Sequence, residues 1–436
     1  MLANKRRMPD FAQRLNTLRA RIDHVKRECD EKYGFPAEMH PSGETVGSRF
    51  AMDWMPGEEV ATRRGKHFET ETFYPRHRRH GCVDIGDLFQ LPSDLLASIF
   101  ENGESSEAGV TGVPPSEWAF LDTETTGLMG SASACAFLVG VGRITAEGFR
   151  VRQFFMRDFA EESSVLEALR EHLRPFRVLI TYNGRTFDQP LLETRYRLHR
   201  SRSPLTAFAH VDLLFSARRL WKLRFDSRRL VDLEQQILGV ERQGDVPGAL
   251  IPYVYFEYVR TREMARLLPV FHHNATDILT LACLTGIVPL AFQDGPGLSE
   301  RFTNGAELIA IARWLREAGK LERARELLRR AIETQVPDGL LFRTLWDLAA
   351  LEQKLDCGEA ALEIWNDLTL PGSSFRVEAL EEIAKFHEHR SKDLAKALEA
   401  TREALRMDDS EGLRKREERL LRRLTRRKTG EKKSHR

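Results

Sequence analysis

The sequence predicts an α/β domain, a mixed sheet flanked by helices, followed by an all-α domain of helical repeats. Three observations carry this. From Trp118 onward, segments of strand-like alternation give way to helix-like spacing and back again. The apolar run "RVLITYNG" stops at Asn183-Gly184 and enters a helix. After about residue 300 strand patterns vanish and Ala/Leu-rich helical pairs take over. A chain of 436 residues, 42% hydrophobic and 30% charged, fits a soluble globular protein of two or three domains.

Residues 1–88 contain one amphipathic stretch (Phe11, Leu15, Leu18, Ile22) and then Gly-, Pro- and Arg/His-rich segments such as "YPRHRRHG". With no lasting period, they predict a helix followed by a partly disordered extension. Acidic residues Asp10, Asp23, Glu28 and Asp30 argue against a transit peptide. "LPSDLLASIF" predicts a short helix leading into the domain over 89–295. There, "WAFLDTE", "ASACAFLVGVGRI" and "FRVRQFFMRDF" read as strands and "EESSVLEALREHL" as a helix. The run "RVLITYNG" reads as a further strand and "FDQPLLETRYRLHR" as the helix after it.

In the helical region, 300–410, small residues fall at Ala312, Gly319, Ala324 and Ala331, and Pro337 closes the unit. These offsets match the tetratricopeptide consensus, with looser copies around Ala360 and Ala397. Such repeats would dock a protein partner or the nucleic acid, and the alternative is an ordinary helical bundle. The basic tail 411–436 holds twelve Lys or Arg against four Glu, a charge of +8, so residues 1–410 carry −6 of the net +2. It reads as a solvated end or as a surface for polyanions. The five cysteines (Cys29, Cys82, Cys135, Cys283, Cys357) are far apart, which argues against a disulfide framework and a zinc site. No stretch reaches the roughly 18 uninterrupted apolar residues that span a bilayer. The expected location is cytoplasmic, with no membrane partner.

The chemistry begins at "FLDTETTGL". Asp122 and Glu124 end a buried strand before a sharp turn at Gly127. Two anions there repel one another unless a cation sits between them. Sixty residues on, Asp188 lies in the first turn of a helix, where it would also favour the helix dipole by about 0.3–1 kcal/mol. A third segment, "LPVFHHNATDILTLACLTGIV", carries His272, His273 and Asp277 on a helix, and residues 273 and 277 share a face. Four carboxylates suit Mg²⁺ or Mn²⁺. Two such ions could activate water and stabilise a leaving oxygen in phosphodiester cleavage, with a histidine as base.

"FLDTETTGL", "YNGRTFDQPLL" and "HHNATDIL" resemble the three motifs of the DEDD exonucleases, RNase H-like proteins that remove nucleotides from 3′ ends. "HVDLLFSARRLW" and "LVDLEQQILGVERQGDVPGALIPYVYFEYV" extend the resemblance to the YprB-type branch over about residues 115–290. The resemblance implies Asp122, Glu124, Asp188 and Asp277 as metal ligands for two ions. One subclass has histidine five positions before the last Asp and another has tyrosine four before it. Here His272 and His273 occupy those positions, and helical spacing favours His273 as the base.

Thr125, Asn183 and Phe187, which flank the acids, are the expected substrate contacts, although Asn183 could equally cap its turn. Asp212 reads as a helix N-cap rather than a ligand. The basic run Arg218, Arg219, Lys222, Arg224, Arg228 and Arg229 could track phosphates or form a solvated face. The expected function is metal-dependent 3′-to-5′ hydrolysis of single-stranded or frayed nucleic acid. The rivals are a catalytically idle scaffold and a structure-directed endonuclease.

Overall fold

The structure, a computed structural model, describes residues 56–100, 107–127, 134–293, 301–334 and 336–434, so the amphipathic stretch of residues 11–22 lies outside it. The chain divides into two compact units. The first takes the described residues up to Ser216 together with Ser227–Pro289, and the second takes Ala217–Asp226 and the residues from Leu290 onward.

The first unit is built on a seven-stranded sheet of order β1-β2-β7-β6-β5-β8-β9. Its strands are β1 (Glu58–Thr62), β2 (Gly65–Pro75), β5 (Trp118–Thr125), β6 (Ala136–Thr145), β7 (Gly148–Phe155), β8 (Val178–Thr181) and β9 (Ala209–Asp212). A separate small ladder pairs β3 (Arg79–His80) with β4 (Val83–Asp84). The β1 to β5 portion is antiparallel, and β8 and β9 join parallel to β5. The parallel strand β8, "VLIT", is buried throughout, as a strand covered on both faces must be.

Residues 58–75, expected within a partly disordered extension, instead form β1 and β2, and β2 pairs with β7 from Phe68 to Pro75. The sequence hid them because β1 buries nothing and three of the four residues buried on β2, His67, Glu69 and Thr70 beside Phe68, are polar. Buried His67 bonds Ser164 Oγ (2.9 Å) and Glu69 Oε1 (2.9 Å), and Glu71 accepts from Arg150 at 2.8 Å. Satisfied polar groups replace the apolar alternation that marks a strand.

Helix α1 (Glu162–Leu173) packs on β1, β2 and β7. Helices α2 (Asp188–Leu198) and α3 (Leu213–Trp221) follow β8 and β9, and α4 (Ile251–Thr261) contacts β5. Helix α5 (Leu268–Thr285) lies on β5, β6 and β7. Leu268–Phe292 is apolar and long enough to cross a membrane by composition, but it is mostly buried here, as a core helix is.

The second unit consists of helical hairpins: α6 (Gly305–Glu317) with α7 (Leu321–Ile332), α8 (Asp338–Lys354) with α9 (Gly358–Leu368), and α10 (Arg376–His389) with α11 (Leu394–Met407). The turn of each hairpin holds one left-handed residue, Gly319 (φ 79°), Asp356 (φ 62°) and Lys392 (φ 54°), spaced 37 and 36 residues apart. In the first, Lys320 N–H bonds back to Leu315 C=O at 2.8 Å, a Schellman closure. At the repeat spacing the buried residues are Ala324, Ala361 and Ala397, whereas Ala360, next to the second, is half-exposed. The basic tail is a helix, α12 (Glu411–Ser434), that contacts α11 and buries Leu413 and Leu420, so it is not simply a solvated end.

Candidate active site

Alternation along β5 aims Asp122 and Glu124 at one face of the sheet. Opposite Asp122 in the ladder stands Gly140. A Cβ there would lie 2.2 Å from Asn274 Oδ1, and one at Gly142 would lie 2.5 Å from Ile278 Cγ2, so two glycines on β6 let α5 come down onto the sheet beside the acids. The ladder shifts register at Glu124/Thr125, and such a bulge re-aims the strand end.

Asp188 arrives from the neighbouring strand. β8 ends in a turn whose Asn183 is left-handed (φ 67°), and the turn is held by Asp212, which accepts from Asn183 N–H (2.7 Å) and Arg185 N–H (3.0 Å). Asp212 also accepts from Leu214 N–H at 3.2 Å, so it caps α3 while fixing the entry to α2. This delivers the buried Asp188 to β5, where Thr123 Oγ1 donates to its Oδ1 at 2.5 Å.

Helix α5 supplies the rest. Buried Asn274 donates to Asp122 Oδ2 (2.8 Å) and accepts from Gln153 Nε2 (2.9 Å). One turn apart, His273 and Asp277 face the acids: His273 Nε2 is 3.5 Å from Asp277 Oδ2 and 3.9 Å from Glu124 Oε1. The other ring nitrogen of His273 bonds Asp245 Oδ1 at 2.7 Å. Arg242 Nη2 donates to Asp277 Oδ1 at 2.5 Å.

The electrostatics follow from crowding in a buried place. Burial, with Glu124, Asp277 and Asp188 nearby, holds Asp122 well above the usual carboxylate range. Burial likewise pushes Glu124 up to about 8, although His273 opposes it. Asp188 rises to about 6, burial outweighing the Thr123 hydrogen bond. For His273, burial disfavours the charge, but the Asp245 hydrogen bond and the carboxylates of Asp277 and Glu124 prevail and raise it to about 9.

Among the described residues, no three His, Cys, Asp or Glu side chains are already arranged to hold a metal ion. Asp122 is turned to Asn274, Asp188 to Thr123 and Asp277 to Arg242. The donor set nevertheless fits a hard divalent cation, since these are carboxylate oxygens whose mutual repulsion such an ion would relieve.

Of the other residues picked out in the sequence, His272 is exposed and Phe187 is 42% exposed. Thr125 Oγ1 bonds Gly127 C=O at 3.1 Å. In the basic run, Arg219 is paired with Glu317 and Arg229 with Asp232 (2.7 Å) at the surface, and Arg224 with the buried Glu307 (2.6 Å). Sequence reasoning missed Asn274, Gln153, Arg242 and Asp245. The glycines at 140 and 142 were the available signal for a close helix. Arg242 and Asp245 lay in the stretch that carried the family resemblance, with nothing local to mark them.

Residues 119–288 match the RNase_H_2 family of the RNase_H superfamily. Together with the mixed sheet and the acids at the end of its interior strand β5, this makes the chain an RNase H-like protein of a nuclease superfamily whose members typically use divalent metals. Over 339 residues it is 32% identical to YprB of Bacillus subtilis (strain 168), covering 77% of this chain and 79% of that one. The chain belongs to the YprB family. A solved family B DNA polymerase from Pyrobaculum calidifontis also matches, at 13% identity and a TM-score of 0.34, over 65% of this chain and 51% of the polymerase. The chain thus spans about half of that polymerase, and the likeness is too slight to bear on function.

Proposed function

We propose that this protein is a metal-dependent 3′-to-5′ exonuclease acting on single-stranded or frayed nucleic acid. The observation that carries the reading is the meeting of Asp122, Glu124, Asp188 and Asp277, drawn from β5, α2 and α5, with His273 Nε2 facing two of them. Carboxylate oxygens suit Mg²⁺ or Mn²⁺, and the four acids would hold two such ions. When bound, the ions supply polarisation of the phosphoryl group and charge stabilisation for the leaving oxygen. The chain itself does the rest. In its neutral form His273 would take the proton of the attacking water at Nε2. Against burial, the Asp245 hydrogen bond and the carboxylates of Asp277 and Glu124 hold the ring protonated up to about pH 9, and cations that neutralise those two acids would bring its pKa down toward the ordinary range. Phe187, 42% exposed, would offer a ring on which a terminal base can stack, and Thr125 and the left-handed Asn183 would contact the substrate backbone. The helical hairpins, read as tetratricopeptide-like repeats, would dock a protein partner.

The test is incubation of the purified full chain and Mn²⁺ or Mg²⁺ with 5′-labelled single-stranded DNA and RNA. A ladder shortening from the 3′ end supports the reading and gives the sugar preference. Internal fragments would point to an endonuclease, and intact oligomers in both metals to an idle scaffold.

A further inference from the structure

The stretch from Glu234 to Pro247 supplies none of the four acids, yet it grips the site at two points. It opens with Glu234–Leu238 in a single turn of π-helix, a rare form that clusters at functional sites. Glu234 is fully buried there and holds Arg242, whose Nε donates to Glu234 Oε2 at 2.6 Å. From this anchor the guanidinium reaches Asp277 Oδ1 at 2.5 Å and Asp245 Oδ2 at 3.2 Å. Asp245 in turn meets His273 Nδ1 at 2.7 Å.

A buried ionic chain of this kind is a poor source of stability, because desolvation cancels most of the attraction, so geometry is the better reason for it. Asp245 sits between two nitrogen groups, accepting from Arg242 Nη1 on Oδ2 at 3.2 Å while Oδ1 meets the ring, and a guanidinium contact of this kind is made by the ionised carboxylate. An ionised carboxylate only accepts hydrogen bonds. His273 Nδ1 must therefore carry the proton, and in the neutral ring the lone pair lies on Nε2, the nitrogen that faces Asp277 and Glu124.

We propose that Asp245 is a positioning residue that fixes His273 in the Nδ1–H tautomer with Nε2 toward the acids, and that Arg242, anchored on Glu234, holds Asp245 and Asp277 in that arrangement. The activity arm of the test rests on the nuclease reading; the spectroscopic arm does not.

On the full chain, Asp245→Asn should lower kcat by roughly 10²-fold or more, as loss of the correct tautomer does, with KM within about twofold. Asp245→Asn combined with His273→Ala should be no slower than His273→Ala alone, because the carboxylate acts only through the ring. Effects that multiply in the double variant would make Asp245 a merely structural tie and overturn the proposal. Nitrogen-15 labelling of the histidines reads the tautomer directly in the metal-free wild type. The His273 ring should show a protonated Nδ1 across the whole titration, and a neutral ring protonated only on Nε2 would overturn the proposal even if Asp245→Asn fails to fold. Should the wild type cleave nothing, the nuclease reading falls, and the nitrogen spectrum still decides the brace.

Discussion

The carboxylate cluster beside β5 in the sheet unit and Glu388 in the helical unit are treated in opposite ways. Beside β5, Asp122, Glu124, Asp188 and Asp277 share the nearby cations Arg242 and His273, which also serve Glu234 and Asp245, and the pKa values of Asp122, Glu124 and Asp188 are raised. On α10, the single buried Glu388 accepts from Arg416, Arg419 and Arg423 at 2.8–2.9 Å, and these arginines, Arg419 foremost, push it down to about 2. A cluster with surplus negative charge gains from a cation supplied from outside. A carboxylate ringed by arginines is already complete, so its role is to pin α12 to α10.

The sharpest way to break this contrast is to remove acids from the surplus. Asp122→Ala or Asp188→Ala should reduce hydrolysis to background, a loss of at least about 10³-fold, since electrostatic stabilisation is the largest catalytic contribution. Circular dichroism should show an intact fold. His273→Ala should cost about 10²- to 10⁴-fold in kcat and His272→Ala much less, because only His273 faces the acids. Wild-type turnover in an Asp122 variant would mean that the acids are not the reacting centre.

The comparison also shows what a sequence makes legible. The acids were visible because Asp122 and Glu124 follow an apolar run and Asp188 opens a helix after another, patterns fixed by neighbours along the chain. The parallel strand β8 and the helical hairpins were visible for the same reason, whereas β9, a four-residue strand with only Ala209 and Val211 apolar, was not. Asn274 and Asp245 were not, because their importance comes from contacts across sequence separations of 152 and 28 residues. β1 was missed because it buries nothing, and β2 because three of its four buried residues are polar, with His67 satisfied by Ser164 on α1 and by Glu69. The tail's leucines, Leu413 and Leu420, were masked by the arginines around them.

A second prediction uses pH. Asp188 (about 6), Glu124 (about 8) and His273 (about 9) all have folded values raised above their ordinary ones. Their stabilising contributions are therefore full in acid and are lost as pH rises through those values. Metal-free protein in chelator should melt at progressively lower temperature between pH 5 and pH 9 for the sheet unit. Asp122→Asn should flatten that slope, and Mn²⁺ at about 100 times its Kd should restore about 2.7 kcal/mol. Calorimetry at three pH values checks this; stability that climbs with pH would show that the acids are not in surplus.

The helical unit should behave with the opposite sign. Glu388, lowered to about 2, contributes stability above its ordinary value that is lost only as pH falls through its folded one. Glu388→Gln should cost about 1–3 kcal/mol at neutral pH, the penalty of breaking charged hydrogen bonds, and should do so without changing metal affinity. A fall in metal affinity in this variant would show that the two regions are energetically linked.

The smallest effect concerns α12 as a surface for polyanions. Deleting it would be a poor test, because Arg416, Arg419 and Arg423 would leave with it and strand Glu388 as a buried, unpaired anion. Lys415 and Arg422 are better targets, since each is 71% exposed and paired only through a helix-surface contact, with Glu411 and Glu418. Such pairs are worth at most about 1 kcal/mol, so Lys415→Gln with Arg422→Gln should leave the fold and the Glu388 cluster intact. If the helix tracks phosphates, each lost contact lowers the slope of log K against log salt by about 0.7–0.9, and the double variant should lose twice that in titrations of single-stranded oligomers between 50 and 200 mM salt. A slope equal to that of the wild type would leave α12 with the role that the Glu388 cluster already gives it, closing the helical unit.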